Sequence, residues 1–329
     1  MFKSILSKEM DLFLKVRKAV LGPNSFRGEK AVLTAFDQYL AEQDYCEKEL
    51  SEEVLDTWIR KLGGKSKTIS NKVVSIRSFV KYLNCMGNRS FMPDSPKVKS
   101  DYIPYIYSDE ELLLLIHYAD NLKSKVPKAC CTHLPIMIPM ILRILYGCGT
   151  RVSETMALKR KDIDFKARTI FLRETKNSKE RRIPVDDTIK AIMESYCLVL
   201  GIMLSPEAYL FPGRKPGSHF VSRQVQRWFS ELLRLANIDQ REKLSGERGA
   251  SLHCFRHLFV LKSMQQLEAV GHPVDMNDLL LPTYLGHECL LDTDKYMRFS
   301  GAQIPESLEA FETFTAGLIP TVEVPYENE

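Results

Sequence analysis

Apolar residues recur at helical spacing through the first quarter of the chain. In KEMDLFLKVRKAVL they fall at Leu12, Leu14, Val16 and Val20, and in FRGEKAVLTAFDQYLAEQD at Val32, Leu33, Phe36 and Leu40. Each pattern predicts an amphipathic helix. Ser51, two glutamates and VLDTWIRKL make a helix start, and Gly63-Gly64 a stop. From about Thr68 to Asn84 a fourth stripe runs through Val73, Ile76, Phe79, Val80 and Leu83. Four short helices predict a compact bundle over residues 1–92.

The period then stops. FMPDSPKVKSDYIPYI is rich in proline and polar residues and predicts an extended linker over 93–106. Helical spacing returns at SDEELLLLIHYAD, where Ser108 is a good N-cap. PIMIPMILRILYG is an apolar helix ending at Gly147-Cys148-Gly149, and Thr150 can cap the next, RVSETMALKR, from Arg151. DIDF, TIFLRE and RRIPV are short β-rich runs around the polar turn TKNSKE, which predicts a small sheet with a hairpin tip. Helices resume at about Asp187, and the last residues, 316–329, read as an acidic flexible tail. The expected fold is mainly α with a small antiparallel β-sheet: a four-helix N-terminal domain, then an α+β domain over 107–315.

A length of 329 residues suits two domains. No run of 18 apolar residues and no cleavable leader pattern is found, so a cytoplasmic protein without a membrane span is expected. The eight cysteines are scattered and form no CxxC pair, which favours reduced thiols. Cys130, Cys131 and His133 make only half of a metal site, and no bound metal is expected. The net charge of +4 is mild. Its distribution is uneven: residues 1–100 hold about 18 basic and 12 acidic side chains, and from Ala302 onward there are six glutamates and no lysine or arginine. A basic front half fits a surface that meets phosphates, with Lys65, Lys67, Lys72 and Arg77 as candidate contacts.

The candidate chemistry lies later. Ser251 to Phe299 brings His253, Arg256, His287 and Tyr296 within about fifty residues, after Arg151 at a predicted helix start. Arginine grips phosphate oxygens through a planar fork, histidine moves protons near neutral pH, and a tyrosine hydroxyl can attack and form a covalent intermediate. A helix start suits an anion, and Glu154, three residues on, can orient Arg151. Lys176 lies near the hairpin tip, where Lys179, Arg181 and Arg182 compete for any role. His253 and Arg256 share a face if a helix starts near Leu252, with Leu252, Phe255, Leu258 and Phe259 buried opposite. His257 points about 100° away from Arg256 on an ideal helix. Tyr284 competes with Tyr296 but precedes the histidine loop. Taken singly, each of these residues is more often structural than chemical.

Their order is distinctive. GTRVSETMALKRKDIDF, TKNSKERRIPV, LHCFRH and LGHECLLDTDKY together resemble the tyrosine recombinase (phage integrase) family over about 107–300, while 1–92 matches only in type, as a helical core-binding domain. The resemblance implies a site-specific recombinase acting on double-stranded DNA. Arg151 and Arg256 would hold the scissile phosphate, and Tyr296 would form a 3′-phosphotyrosyl bond. Lys176 would be the general acid, His253 would assist proton transfer at the tyrosine, and His287 would hydrogen-bond the phosphate. Neither metal nor ATP is implied. The relatives also suggest a tetramer on DNA, with a C-terminal docking helix here carrying Leu308, Phe311 and Phe314. Other recombinases or directionality factors are further partners implied by the family. The segment between Arg256 and His287 is longer than the family pattern. A type IB topoisomerase-like relaxing enzyme and a non-catalytic DNA-binding accessory protein are the alternatives.

Overall fold

The computed structural model describes residues 2–98, 104–122, 133–173, 180–239, 249–269 and 282–286. The chain divides into two compact units, Met1–Asp101 and Tyr102–Glu329.

Helices α1 (Ser7–Val20), α2 (Pro23–Glu42), α3 (Glu52–Lys61) and α4 (Ser66–Cys85) build the first unit. The α4 stripe, Val73 to Leu83, is buried as its spacing predicts, and Ser51 caps α3 by accepting from the Val54 N–H. The α1 face differs from the expected one. Met10, Phe13 and Leu14 are buried, whereas Leu12, Val16 and Val20 face solvent. Both stripes have helical spacing, so periodicity alone could not choose between them. The one with Phe13 wins, because its ring meets Phe79 edge-on at 5.4 Å and buries the larger apolar surface. Trp58 packs against Phe36 in the same core at 5.1 Å.

The second unit is helical around one small sheet, the architecture the pattern predicts. Helix α5 (Asp109–Asp120) starts with a complete capping box between Ser108 and Glu111. Helix α6 (Leu134–Cys148) packs against α5, α8 (Asp187–Val199) and α10 (Cys254–Ala269), and is buried on most sides. That explains a sequence apolar all round its circumference. Strands β1 (Ile163–Asp164), β2 (Thr169–Leu172) and β3 (Arg181–Pro184) form an antiparallel sheet in that order, with Ile170 opposite Ile183 and Leu172 opposite Arg181. The hairpin tip, 174–179, lies outside the described residues. Helix α9 (Ser222–Leu235) buries Val225, Phe229 and Leu232.

The junction after α6 sets the site. Gly149 takes the left-handed conformation (φ 55°) and ends the helix. The next helix, α7 (Val152–Ala157), is only six residues long, with Arg151 as its N-cap. Thr150 is therefore not the cap; its hydroxyl instead shares a 2.7 Å hydrogen bond with the Thr155 hydroxyl. Glu154 does the capping, accepting from the Arg151 N–H at 3.0 Å. A Cβ on Gly149 would lie 2.4 Å from the Phe259 ring. Gly149→Ala is expected to lower stability by about 2–4 kcal/mol, from left-handed strain plus overpacking, seen as a lower urea midpoint with an unchanged slope. An unchanged midpoint would show that this corner tolerates a side chain.

Candidate active site

Four segments far apart in sequence meet at the Gly149–Arg151 corner. Helix α10 supplies Arg256, whose side chain is almost fully enclosed (1% exposed). Its guanidinium donates to the Gly149 carbonyl at 2.7 Å and to the Leu285 carbonyl at 2.8 Å. The turn at 282–286 also reaches back to α6, since the Tyr284 hydroxyl donates to the Cys148 carbonyl at 3.1 Å. The Tyr284 ring stacks on Phe259 at 5.2 Å.

Arg256 reaches the Gly149 carbonyl two residues before Arg151, and both charges act on His253. Arg151 keeps about a fifth of its side chain exposed and donates to Glu154 at 2.7 Å. The observed pair bears out Glu154 as the group that orients Arg151. Glu154 itself is 1% exposed. Burial pushes its carboxyl upward, but the Arg181 hydrogen bond and charge, the Arg151 N–H and the Arg151 charge outweigh it, and the net shift is down.

His253 stands just before α10 rather than within it, and its carbonyl accepts the Arg256 N–H at 3.1 Å. The side chain keeps solvent contact. Its pKa is pushed down to about 4 by desolvation, then by the charges of Arg256 and Arg151. Burial and the two cations act in the same direction, and solvent on the open face moderates the burial contribution. A neutral, reachable imidazole between two arginines can accept a proton at neutral pH.

The His257 ring packs edge-on against His253 with centroids 5.2 Å apart, buried to 2% exposure. Desolvation, then the His253 and Arg256 charges, lowers its pKa to about 3. The folded protein resists protonating this ring, whereas the unfolded chain accepts a proton near the ordinary value of about 6.5. The resulting stability is complete above about pH 6.5 and is lost as pH falls toward 3. Acidification through that window is expected to cost about 2–4 kcal/mol through this ring, read as a falling unfolding temperature. His257→Leu should flatten the acid limb. A curve of the same shape in the variant would rule His257 out as its source.

The remaining sequence candidates fall in two groups. Lys176, His287 and Tyr296 lie outside the described residues, as do Cys130, Cys131 and the segment with Leu308, Phe311 and Phe314. In the first unit Lys65 and Lys67 are exposed. Lys72 donates to the Gly63 carbonyl at 3.3 Å, and Arg77 donates to the Pro93 carbonyl. Among the described residues, no group of three or more His, Cys, Asp or Glu side chains is gathered to hold a metal. Also among the described residues, no helix is long and apolar enough to cross a membrane.

Arg181, one of the cations competing with Lys176 at the hairpin, turns inward to Glu154. It opens β3, and its guanidinium donates to both Glu154 oxygens at 3.2 and 3.0 Å and to the Tyr284 carbonyl at 2.9 Å. The signal was readable: Arg181 stands two positions from Ile183, and alternation puts both on the buried face of the strand.

Two arginines, a histidine and a capped helix start thus meet at one corner of an α-rich unit with a three-stranded sheet. The chain belongs to the phage integrase family, whose model matches residues 108–299, more than half of its length. It is thus a tyrosine-type site-specific DNA recombinase. Tyrosine recombinase XerC of Syntrophus aciditrophicus is 25% identical over 319 residues, spanning 90% of this chain and 93% of the relative. XerA of Pyrococcus horikoshii is 23% identical over 254 residues, 76% of each chain. The fold is shared with XerH site-specific recombinase bound to a palindromic difH substrate (TM-score 0.66, 18% identity, 93% of this chain and 84% of that one). It is shared as well with the Tn1549 transposon integrase in complex with transposon right end DNA (TM-score 0.63, 17% identity, 94% of this chain and 99% of that one).

Proposed function

We propose that this recombinase cleaves and rejoins double-stranded DNA through a 3′-phosphotyrosyl bond at Tyr296. The observation that carries the reading is the convergence of Arg151, Arg256 and His253 at one corner, where burial and then the two cations keep His253 neutral. Arg151 and Arg256 offset charge on the scissile phosphate as the transition state forms. His253 takes the proton of the tyrosine hydroxyl, the phenolate oxygen attacks phosphorus, and the bond to the 5′ oxygen breaks. Lys176 gives that leaving oxygen its proton, and His287 hydrogen-bonds the phosphate. A 5′-hydroxyl from a partner strand then displaces the tyrosine, so the phosphodiester energy is conserved.

The wider roles follow the same reading. The 1–92 unit is the DNA-binding module that completes a clamp, with Lys65, Lys67, Lys72 and Arg77 as candidate contacts and Lys65 and Lys67 exposed. The 107–315 region is the catalytic domain, and its C-terminal helix docks on a neighbouring protomer in a tetramer on DNA. Integration, excision or transposition of a mobile element is the biological setting we favour.

A nicked suicide substrate tests the chemistry. Cleavage next to the nick releases a short 5′ fragment, and a protein–DNA adduct that survives denaturant is the expected result. Absence of the adduct with every candidate site sequence would overturn the reading. Plasmid relaxation without joining of two sites would overturn recombination in favour of a topoisomerase.

A further inference from the structure

Glu154 is a buried carboxylate between two guanidiniums. Arg151 meets it from one side through its N–H and its side chain, and Arg181 meets it from the other through both terminal nitrogens. The Arg181 side chain is only 12% exposed, and its third bond goes to the Tyr284 carbonyl. A Cβ on Gly286 would come within 3.1 Å of the same guanidinium, so glycine there leaves it room.

Charge arithmetic gives this arrangement a consequence. Arg151 and Glu154 alone are a neutral pair, and a phosphate approaching Arg151 would meet a dipole with its negative end held close. With Arg181 added, the triad carries a net charge of one positive unit. Arg181 is buried deeper than Arg151, 12% exposed against 21%, so the surplus is presented through Arg151. Because Glu154 and Arg181 are buried, that difference is screened less than it would be in bulk water.

We infer that Arg181 is a positioning residue: it takes up the Glu154 charge so that Arg151 meets the phosphate as an uncompensated cation. Its bond to the Tyr284 carbonyl ties the same balance to the turn that leads to His287. Arg181 itself need not touch DNA. The inference rests on the proposed cleavage chemistry.

Full-length protein with Arg181→Gln, Arg181→Lys and the pair Arg181→Gln with Glu154→Gln tests it, using the nicked suicide substrate, DNA affinity and thermal unfolding. Arg181→Gln should slow covalent capture about a hundredfold, while affinity, set mainly by contacts elsewhere, changes little. Arg181→Lys keeps the charge and should stay within about tenfold of wild type. The double variant removes both charges, restores the balance, and should recover capture by about tenfold or more over Arg181→Gln. A purely structural role predicts the reverse, because the second substitution removes further hydrogen bonds. Capture by Arg181→Gln at the wild-type rate overturns the inference. So does a folded double variant no faster than the single one, or Arg181→Lys as slow as Arg181→Gln. Should Arg181→Gln fail to fold, the lysine variant and the double variant decide between the same outcomes. Wild-type protein that forms no adduct sinks the cleavage reading and this inference with it. A wild-type adduct alongside a fully active Arg181→Gln sinks the inference only.

Discussion

Tyr296→Phe is expected to abolish covalent capture of DNA, by at least about a thousandfold, while leaving DNA affinity within about twofold. The substitution removes one oxygen and keeps the ring, so loss of capture without loss of binding isolates the nucleophile. The strength of this expectation comes partly from Tyr284, the other tyrosine between residues 282 and 299. Tyr284 already donates its hydroxyl proton to the Cys148 carbonyl, and its ring is stacked on Phe259. Burial, then the neighbouring Cys148, raises its pKa against the pull of Arg181 and Arg256. A phenolate at that position is disfavoured, and an attack would first break a bond that holds the turn to α6. Tyr284→Phe should therefore retain capture and lose about 1 kcal/mol of stability. Capture that survives Tyr296→Phe, or that disappears only in a folded Tyr284→Phe, would overturn the assignment.

Arg256→Ala should do two things at once. Capture should fall by about a hundred- to ten-thousandfold, as for loss of a preorganised electrostatic group. Stability should fall by about 2–5 kcal/mol, because the carbonyls of Gly149 and Leu285 lose their donor inside a closed interior. Arg256→Lys separates the effects. An ammonium retains the charge but cannot span two carbonyls in the plane of a fork, so some stability returns while most of the rate loss remains. Urea unfolding beside the suicide-substrate assay reads both quantities. An Arg256→Ala protein as stable as wild type would contradict the bracing role seen in the structure.

The helices and the sheet were legible because their signals are local: N-caps at Ser51 and Ser108, period-2 runs in TIFL and RRIP, and a glycine stop after α6. The α1 face was not, because two stripes had equal periodicity and only tertiary packing of Phe13 chose between them. The site was legible as an ordered set of residue types. Arg151 pairs with Glu154, and Arg256 lies near His253, while Lys176, His287 and Tyr296 lie outside the described residues. Two parts had signals in the sequence whose meaning needed the fold. Arg181 looked like one of several cations beside a hairpin, and its meaning depends on a carboxylate 27 residues away. His257 looked misdirected relative to Arg256, yet it lies one helical turn beyond His253 and the two rings meet.

The braces around Gly149 and Cys148 span long stretches of chain: 107 residues from Arg256 to Gly149, and 136 from Tyr284 to Cys148. None of them can form while the ribosome is still adding the intervening residues, and each loop is closed at an entropic cost that only a completed core repays. A nascent chain that has already exposed Arg151 thus lacks the donors and the turn that shape its corner. Assembly of this corner is thereby postponed until synthesis has passed residue 285, and a half-made recombinase carries Arg151 without the alignment the braces give it.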